Sequence, residues 1–397
     1  MGGEAVVLQL TEIQKQLVET VREFVEKEVI PVADEMEHRD EFPEEIVEGM
    51  KEMGLFGITV PEEYGGIGES LVSYALCVVE LARGWMSLSG VLNTHFMGCY
   101  LINKFGTDEQ RQNFLPRMAT GEIRAALAMS EPEAGSDVQS IRTKAIRDGD
   151  DYVINGQKMW LTNGLRSSIV MTLVKTDPDV EPPHKGMSML IVEKEGGNPK
   201  PAPGLDVGKN IEKMGYKGVE TTEMNFSDFR IPTSSLLGTD EGQGFRQVLD
   251  GIEVGRVNVA ARAVGVSTRA FEEAIKYAQE RKAFGKAISQ HQAIQIHLAE
   301  MGTQLEAAKL MLYNAAERKA AGERSDLEAG MAKLFASEAC REIVEKSLRV
   351  HGGYGYSKEF TIERLYRDAP FLLIGEGTSE IQKTVIARRL LERHKIG

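Results

Sequence analysis

Residues 291–322 read HQAIQIHLAEMGTQLEAAKLMLYNAAERKAAG. Within them Ile294, Leu298, Met301, Leu305, Ala308 and Leu312 recur at alternating intervals of four and three. That spacing lays one apolar stripe along a helix, and Gly322 is placed to end it. The stripe lasts about three heptads, which points to packing inside a bundle rather than to a free coiled coil. Asp326 suits the N-cap of a following helix that carries Leu327, Met331, Leu334, Phe335 and Ala339. The proline map extends the reading outward. Of 13 prolines none falls between Pro232 and Pro370, and six fall between Pro178 and Pro203. Proline removes a backbone donor and clashes with the preceding turn, so the long gap permits long helices. Residues 240–397 therefore read as an antiparallel helical bundle.

The start of the chain is helical by similar signals. Thr11-Glu12-Ile13-Gln14 and Thr107-Asp108-Glu109-Gln110 fit capping boxes. Ile13, Leu17, Val21, Phe24 and Val25 share a face, with Pro31 expected to stop that run; Pro43 suits the first turn of another helix. From about 125 to 237 the pattern changes to strands. Tyr152-Val153-Ile154, then Asn155-Gly156, then Lys158 to Thr162 reads as a hairpin with a type I′ turn. Ser168–Val174 and Met187–Val192 are short apolar runs flanking an exposed loop over 175–186. The expected fold is α+β and mainly α: an N-terminal helical domain over 1–124, a central small β-barrel or sandwich domain over 125–237, and a C-terminal helical bundle domain over 238–397.

Composition excludes several function classes. The 397 residues are 42% hydrophobic and 27% charged, which suits a folded globular protein, and the net charge of −13 argues against a nucleic-acid binder. Cys77, Cys99 and Cys340 are too scattered for a disulfide framework or a zinc site. No signal peptide and no apolar run of membrane-spanning length is read, so a cytoplasmic protein is expected. The seven histidines show no paired ligand spacing, and no metal is expected. There is no Walker loop and no Gly-x-Ser-x-Gly elbow, and Gly352-Gly353-Tyr354-Gly355 lacks the strand and helix of a dinucleotide fold. An enzyme of this sequence would rely on carboxylate chemistry or on an organic cofactor.

Six segments, in order along nearly the whole chain, carry a resemblance: PEEYGG (61–66), MSEPEAGSD (129–137), KMWLTNG (158–164), ERKAFG (280–285), HGGYG (351–355) and IGEGTSEIQ (374–382). Together they resemble the acyl-CoA dehydrogenase family of flavoproteins. The resemblance implies a helical domain, a β domain and a four-helix bundle, an FAD cofactor and an acyl-CoA substrate. It also implies an electron-transfer flavoprotein as electron acceptor, a homotetramer built as a dimer of dimers, and a place in fatty-acid β-oxidation.

The residue roles follow from the resemblance. Glu376 is the expected catalytic base, taking the α-proton while a hydride leaves the β-carbon for flavin N5. Some relatives draw the base from the position before the arginine that matches Arg256; here it is Gly255, which cannot serve. Gly377 would let the backbone approach the ligand, and the Glu376 N–H would polarise the thioester carbonyl. Leu127, Met129, Ser130, Trp160, Leu161 and Thr162 match positions against the flavin. Arg281, Phe284 and Gln292 match positions holding the diphosphate and adenosine end from a neighbouring subunit; arginine suits a diphosphate through its forked donors. Arg349 stands where relatives usually have Gln. Gly352, Gly353, Thr378 and Glu380 complete the cofactor set, and Ser136, Glu253 and Arg256 match substrate-side positions, the last two expected just before a long helix. Gly375 replaces the tyrosine of many straight-chain enzymes, so a branched, cyclic or otherwise wide acyl group is expected unless a side chain from Thr94-His95-Phe96 fills the space. An oxidase of the same fold, a flavin-bearing DNA-repair relative and a non-catalytic flavin-binding scaffold are the alternatives.

Overall fold

The computed structural model describes residues 10–396. The first helical run is α1 (Glu12–Phe24), a π-helical turn over Val25–Val29, and α2 (Ile30–His38). The Thr11 hydroxyl accepts from the Gln14 N–H and the Gln14 side chain returns to Thr11, as expected of a capping box, a feature worth about 1 kcal/mol. Pro31 does not stop the run, contrary to expectation. The wide turn before it bonds the Ile30 N–H to Val25, and Pro31 sits in the first turn of α2, where its missing donor costs little. Val21, Val25, Val29 and Ala33 stay buried straight through the irregularity.

The run continues with α3 (Glu44–Glu52), capped by Pro43 rather than containing it, then α4 (Leu71–Gly84), α5 (Met86–Phe105) and α6 (Asp108–Ala119). The second capping box, at Thr107, forms on α6. Both α4 and α5 are buried nearly all round, which is why they lack a polar face in sequence.

The strands are β1 (Ala125–Ala128), β2 (Lys144–Asp148), β3 (Asp151–Thr162), β4 (Ile169–Lys175), β5 (Met187–Glu193), β6 (Leu205–Val207) and β7 (Thr221–Pro232). They form one sheet in the order β1-β4-β2-β3-β7-β6, with β5 also paired to β4. Asn155-Gly156 is not the hairpin turn. Asp148 pairs with Asp151 around Gly149, so the turn lies there, and Asn155 and Gly156 stand inside β3. A Cβ on Gly156 would lie 2.6 Å from Thr143 Cα. The glycine therefore serves the close approach of Thr143, at an irregularity between Ile154 and Gly156.

The proline-poor region gives α7 (Gly244–Glu280), α8 (Gln292–Ala320), α9 (Asp326–His351), α10 (Ile362–Ile374) and α11 (Ser379–Arg393). The quoted stripe of α8 points inward at Met301, Leu305, Ala308 and Leu312, all buried. Ser325, not Asp326, is the cap residue of α9; Asp326 is its first helical residue, where a negative charge also suits the helix dipole. Glu253 and Arg256 lie well inside α7 rather than before it.

Candidate active site

Glu376 sits in the Gly375-Glu376-Gly377 turn between α10 and α11. Its φ is +54° and that of Gly377 is +94°, a left-handed backbone that costs a non-glycine residue free energy and clusters at functional positions. Lys333 Nζ donates to the Gly377 carbonyl at 2.8 Å, Gln382 Nε2 to the Glu376 carbonyl at 3.3 Å, and Thr378 caps α11. Held this way, the carboxylate enters the space between α5 and α7. Asn93 Nδ2 donates to Oε1, while Oε2 is buried and has no partner. A Cβ on Gly255 would lie 2.0 Å from Oε2. Gly255 is thus the opening that the base occupies, which is a stronger reason for glycine than its inability to act as a base. Burial pushes the Glu376 carboxyl up from its ordinary value; Arg262, the Asn93 bond, Lys333 and Arg256 oppose that rise.

The wall beside this carboxylate is filled by residues the sequence reading did not single out. A Cβ on Gly375 would lie 2.8 Å from the Phe371 ring. The room left by a missing tyrosine is therefore taken by Phe371, and not by Thr94, His95 or Phe96. Thr94 donates to the Ala125 carbonyl, His95 bonds the Phe56 carbonyl, and Phe96 stacks on Tyr74. The Tyr216 ring stacks on Phe371, and its hydroxyl stands where a side chain on residue 90 would begin.

The platform expected to meet the flavin lies at the end of β3. The β3–β7 register shifts between Lys158 and Leu161, and Trp160 takes φ +67° with 58% of its surface exposed. An exposed tryptophan on a forced backbone fits a ring-stacking surface. Thr162, Leu127, Met129 and Ser130 are half-buried on neighbouring segments. The Leu161 side chain is 1% exposed and points into the sheet core, so it would meet a ligand through its backbone. Buried Lys158 anchors the platform through an ion pair to Glu131 at 2.9 Å and a bond to the Met129 carbonyl. Asn163 then donates to the Gly90 and Val91 carbonyls and the Thr94 hydroxyl, tying the end of β3 to α5 and hence to the base.

A second region lies at the far end of the bundle. A groove of about 790 Å³ is lined by Arg281, Phe284, His351, Gly352, Gly353 and Tyr354, among others. Nothing lies within 4 Å of where a Cβ on Gly352 or Gly353 would be. Phe284 is 95% exposed at φ +49°. Clear backbone, aromatic walls and one guanidinium fit the adenosine diphosphate end of FAD. Gln292 stands beside the groove as the first residue of α8. Arg349 does not line it: its guanidinium pairs with Glu345 at 2.5 Å on the exposed side of α9. None of Trp160, Thr162, Thr378 or Glu380 lines this groove, so the expected cofactor residues fall into two separate sets.

The substrate-side residues divide as well. Ser136 is exposed in the loop after β1. Glu253 is bonded to Lys319 at 3.0 Å and to the Ser325 hydroxyl at 2.9 Å, which makes it a bundle tie. Arg256 keeps a buried Nε without a partner. Asn93, Lys333, Tyr216, Asn258 and Arg262 were missed. The signal for the last two was legible: they interrupt the otherwise apolar run VNVAARAVGV over 257–266.

Comparison with known proteins matches three family models in the same order as the elements. They are the N-terminal domain of acyl-CoA dehydrogenases over residues 11–122, the middle domain over 126–229 and the C-terminal domain over 242–391. The (2S)-methylsuccinyl-CoA dehydrogenase of Cereibacter sphaeroides is 41% identical over 375 residues, covering 94% of this chain and 68% of that protein. A subunit of the caffeyl-CoA reductase–Etf complex of Acetobacterium woodii is 39% identical over 391 residues, covering 96% and 99%. Among solved structures, the butyryl-CoA dehydrogenase of Megasphaera elsdenii superposes with a TM-score of 0.92 at 33% identity, covering 97% of this chain and 99% of that one.

Proposed function

The chain belongs to the acyl-CoA dehydrogenase family of FAD-dependent oxidoreductases acting on CH–CH bonds, and on that premise we propose that it converts an acyl-CoA thioester to the trans-2-enoyl-CoA with Glu376 as the base. The observation that carries this is the desolvated carboxylate with one oxygen fixed by Asn93 and the other free of any partner. FAD, when bound, supplies the acceptor for the β-hydride. Glu376 takes the proton from the α-carbon, the C=C bond forms between the two carbons, and the two electrons leave through an electron-transfer flavoprotein. A relative that works in an Etf complex supports that partner. The Glu376 backbone N–H polarises the thioester carbonyl as the enolate develops. Lys158 and Asn163 hold Trp160 and Thr162 in fixed register with the base.

The FAD site is completed by a second copy of the chain. Its support is the separation of the two cofactor sets and the exposure of Phe284, an aromatic ring that a lone chain would leave in water. A homotetramer divided at about 124 and 237 into three domains accords with this. Among the described residues no helix is long and apolar enough to cross a membrane. The acyl group is branched, cyclic or otherwise wide; Phe371, on which Tyr216 stacks, stands where a side chain on Gly375 would begin, so width there depends on the Phe371 ring swinging aside.

The test is the visible flavin spectrum recorded without oxygen. The panel is butyryl-, octanoyl-, isobutyryl-, isovaleryl- and cyclohexanecarbonyl-CoA. The protein should be yellow and be bleached by at least one thioester, and the Glu376→Gln variant should stay yellow and bleach ~1000-fold more slowly or not at all. A colourless protein that takes up no FAD, or a variant that bleaches at the normal rate, overturns the reading.

A further inference from the structure

Residues 208–220, between β6 and β7, carry a phenol into the core. Tyr216 is 2% exposed and takes φ +58°, a left-handed backbone that a bulky residue keeps only where its surroundings force it. Two helices supply the force. The Tyr216 N–H donates to Asp368 Oδ1 of α10 at 2.7 Å. The Lys217 and Gly218 N–H groups donate to Glu37 of α2 at 3.0 and 3.3 Å. Both carboxylates are fully buried. The flanking glycines allow the fit: a Cβ on Gly215 would lie 2.6 Å from the Arg367 carbonyl oxygen, and one on Gly218 2.1 Å from the Trp85 ring. The turn therefore has one position, and that position fixes where the Tyr216 oxygen goes.

The oxygen is received as closely as the backbone. A Cβ on Gly90 would lie 1.7 Å from it, so α5 has a glycine where the hydroxyl sits. Arg262 Nη1 donates to it at 3.1 Å, and Thr162 is its other hydrogen-bonding side chain. The surrounding contacts agree with that placement. Asn163, next to Thr162, donates to the Gly90 carbonyl at 3.3 Å, and Thr162 pairs with Thr221, the first residue of β7. Arg262 is held in turn, its Nε donating to Asn258 Oδ1 at 2.5 Å. The direction of the bonds follows from what each group can do. A guanidinium only donates, so the Tyr216 oxygen accepts from Arg262 and its own proton is left to donate. Thr162 Oγ1 takes that proton's bond, because Glu376 draws its bond from Asn93. Thr162 then keeps its own hydroxyl proton for a ligand lying against the β3 platform. The cation behind the phenol strengthens the chain, since successive hydrogen bonds polarise one another in a buried site.

We infer that Tyr216 is a positioning residue for the reaction: its hydroxyl, polarised by Arg262, turns the Thr162 hydroxyl toward the flavin and so speeds the transfer of the β-hydride. This rests on the reading of the chain as a dehydrogenase whose flavin lies against Trp160 and Thr162. The role belongs to one oxygen atom. The ring's stacking on Phe371, with centroids 4.6 Å apart, is a packing contact that a phenylalanine would keep.

The experiment uses the FAD-loaded protein and compares the wild type, Tyr216→Phe, Thr162→Val and the double variant. Two quantities are read: the visible band of the oxidised flavin without substrate, and the rate of flavin reduction without oxygen by the thioester that bleaches the wild type. Tyr216→Phe should shift the band and slow reduction about 10-fold while thioester affinity stays the same. Added to Thr162→Val, it should shift the band no further and change the rate less than about 2-fold, because a residue that acts through another is silent once the other is gone. If Tyr216→Phe does not fold, a fluorinated tyrosine at position 216, a stronger donor of nearly the same shape, should move the band in the wild-type background and not beside Thr162→Val. An unshifted band with an unchanged rate in Tyr216→Phe overturns the inference. Additive effects of the two substitutions overturn it too, since the phenol and Thr162 would then act apart. A change confined to the acid limb of the pH profile does the same, by placing the hydroxyl on Glu376. A yellow wild type that no thioester bleaches removes the dehydrogenase reading, and the band alone then decides the inference; a protein that takes up no FAD removes both.

Discussion

The pocket around Glu376 and the groove around Phe284 are built by opposite means. In the pocket the carboxylate fills the space that Gly255 vacates, its turn is held by Lys333 and Gln382, and Asn163 ties the β3 platform to α5. All of these groups come from one chain and lie in or beside the core. The groove offers Arg281, an exposed Phe284 and two glycines, Gly352 and Gly353, with no atom of the described residues within 4 Å of where their Cβ would be. Preorganised chemistry needs a water-excluding core, and a single chain can provide it. Binding of an extended cofactor needs area, and an open groove gains area when a second copy covers it.

Three variants would break or sharpen that contrast, and the largest effect belongs to the pocket. Gly255→Ala should slow flavin reduction by ~100-fold while the protein keeps its FAD, because the new methyl would lie 2.0 Å from Glu376 Oε2 and must displace it. Normal rates in that variant, measured by rapid mixing, would show that the carboxylate is not fixed there. In the groove, Arg281→Met combined with Phe284→Ala should weaken FAD retention by about 10-fold, with loss of colour that grows on dilution. Spectrophotometric titration at several protein concentrations reads this; concentration-independent loss would mean that one chain holds the whole cofactor. The smallest effect is a shift of pH profile. Asn93 bonds the charged form of Glu376 and so holds its pKa down against burial, which raises it. Asn93→Leu removes that support, so the carboxyl should titrate at higher pH than in the wild type. The base must be ionised, so the rate should fall earlier as pH drops and match the wild type well above both values. An acid limb that stays put would mean that Arg262, Lys333 and Arg256 alone set the ionisation.

The sequence was most legible where a signal has a single physical meaning. The stripe on α8, both capping boxes and the long helices of the proline-poor region all formed, because periodicity and capping act within one element. It misled where one residue type serves two purposes. Gly156 could be a turn or a close strand approach, and Thr143 decided for the second. Pro31 could end a helix or begin one, and a wide turn with buried Val25 and Val29 decided for the second. The motifs nominated Glu376, Trp160, Thr162, Arg281 and Phe284; only the folded chain shows that the Leu161 side chain turns into the sheet core and that the Arg349 guanidinium pairs with Glu345.

By itself the sequence determined the mainly helical architecture around a small sheet, the family and the cofactor, and it nominated Glu376 as the base. These follow from local periodicity and from ordered short motifs, which need no knowledge of what packs against them. Tertiary structure alone decided that Gly255 is the opening for the carboxylate, that Phe371 takes the room beside Gly375, that Asn93 bonds Glu376, and that buried Arg262 is a charge favouring the ionised Glu376. Each of those is a meeting of residues from distant segments, and only the folded chain fixes which atoms share a space and which charges are left unpaired.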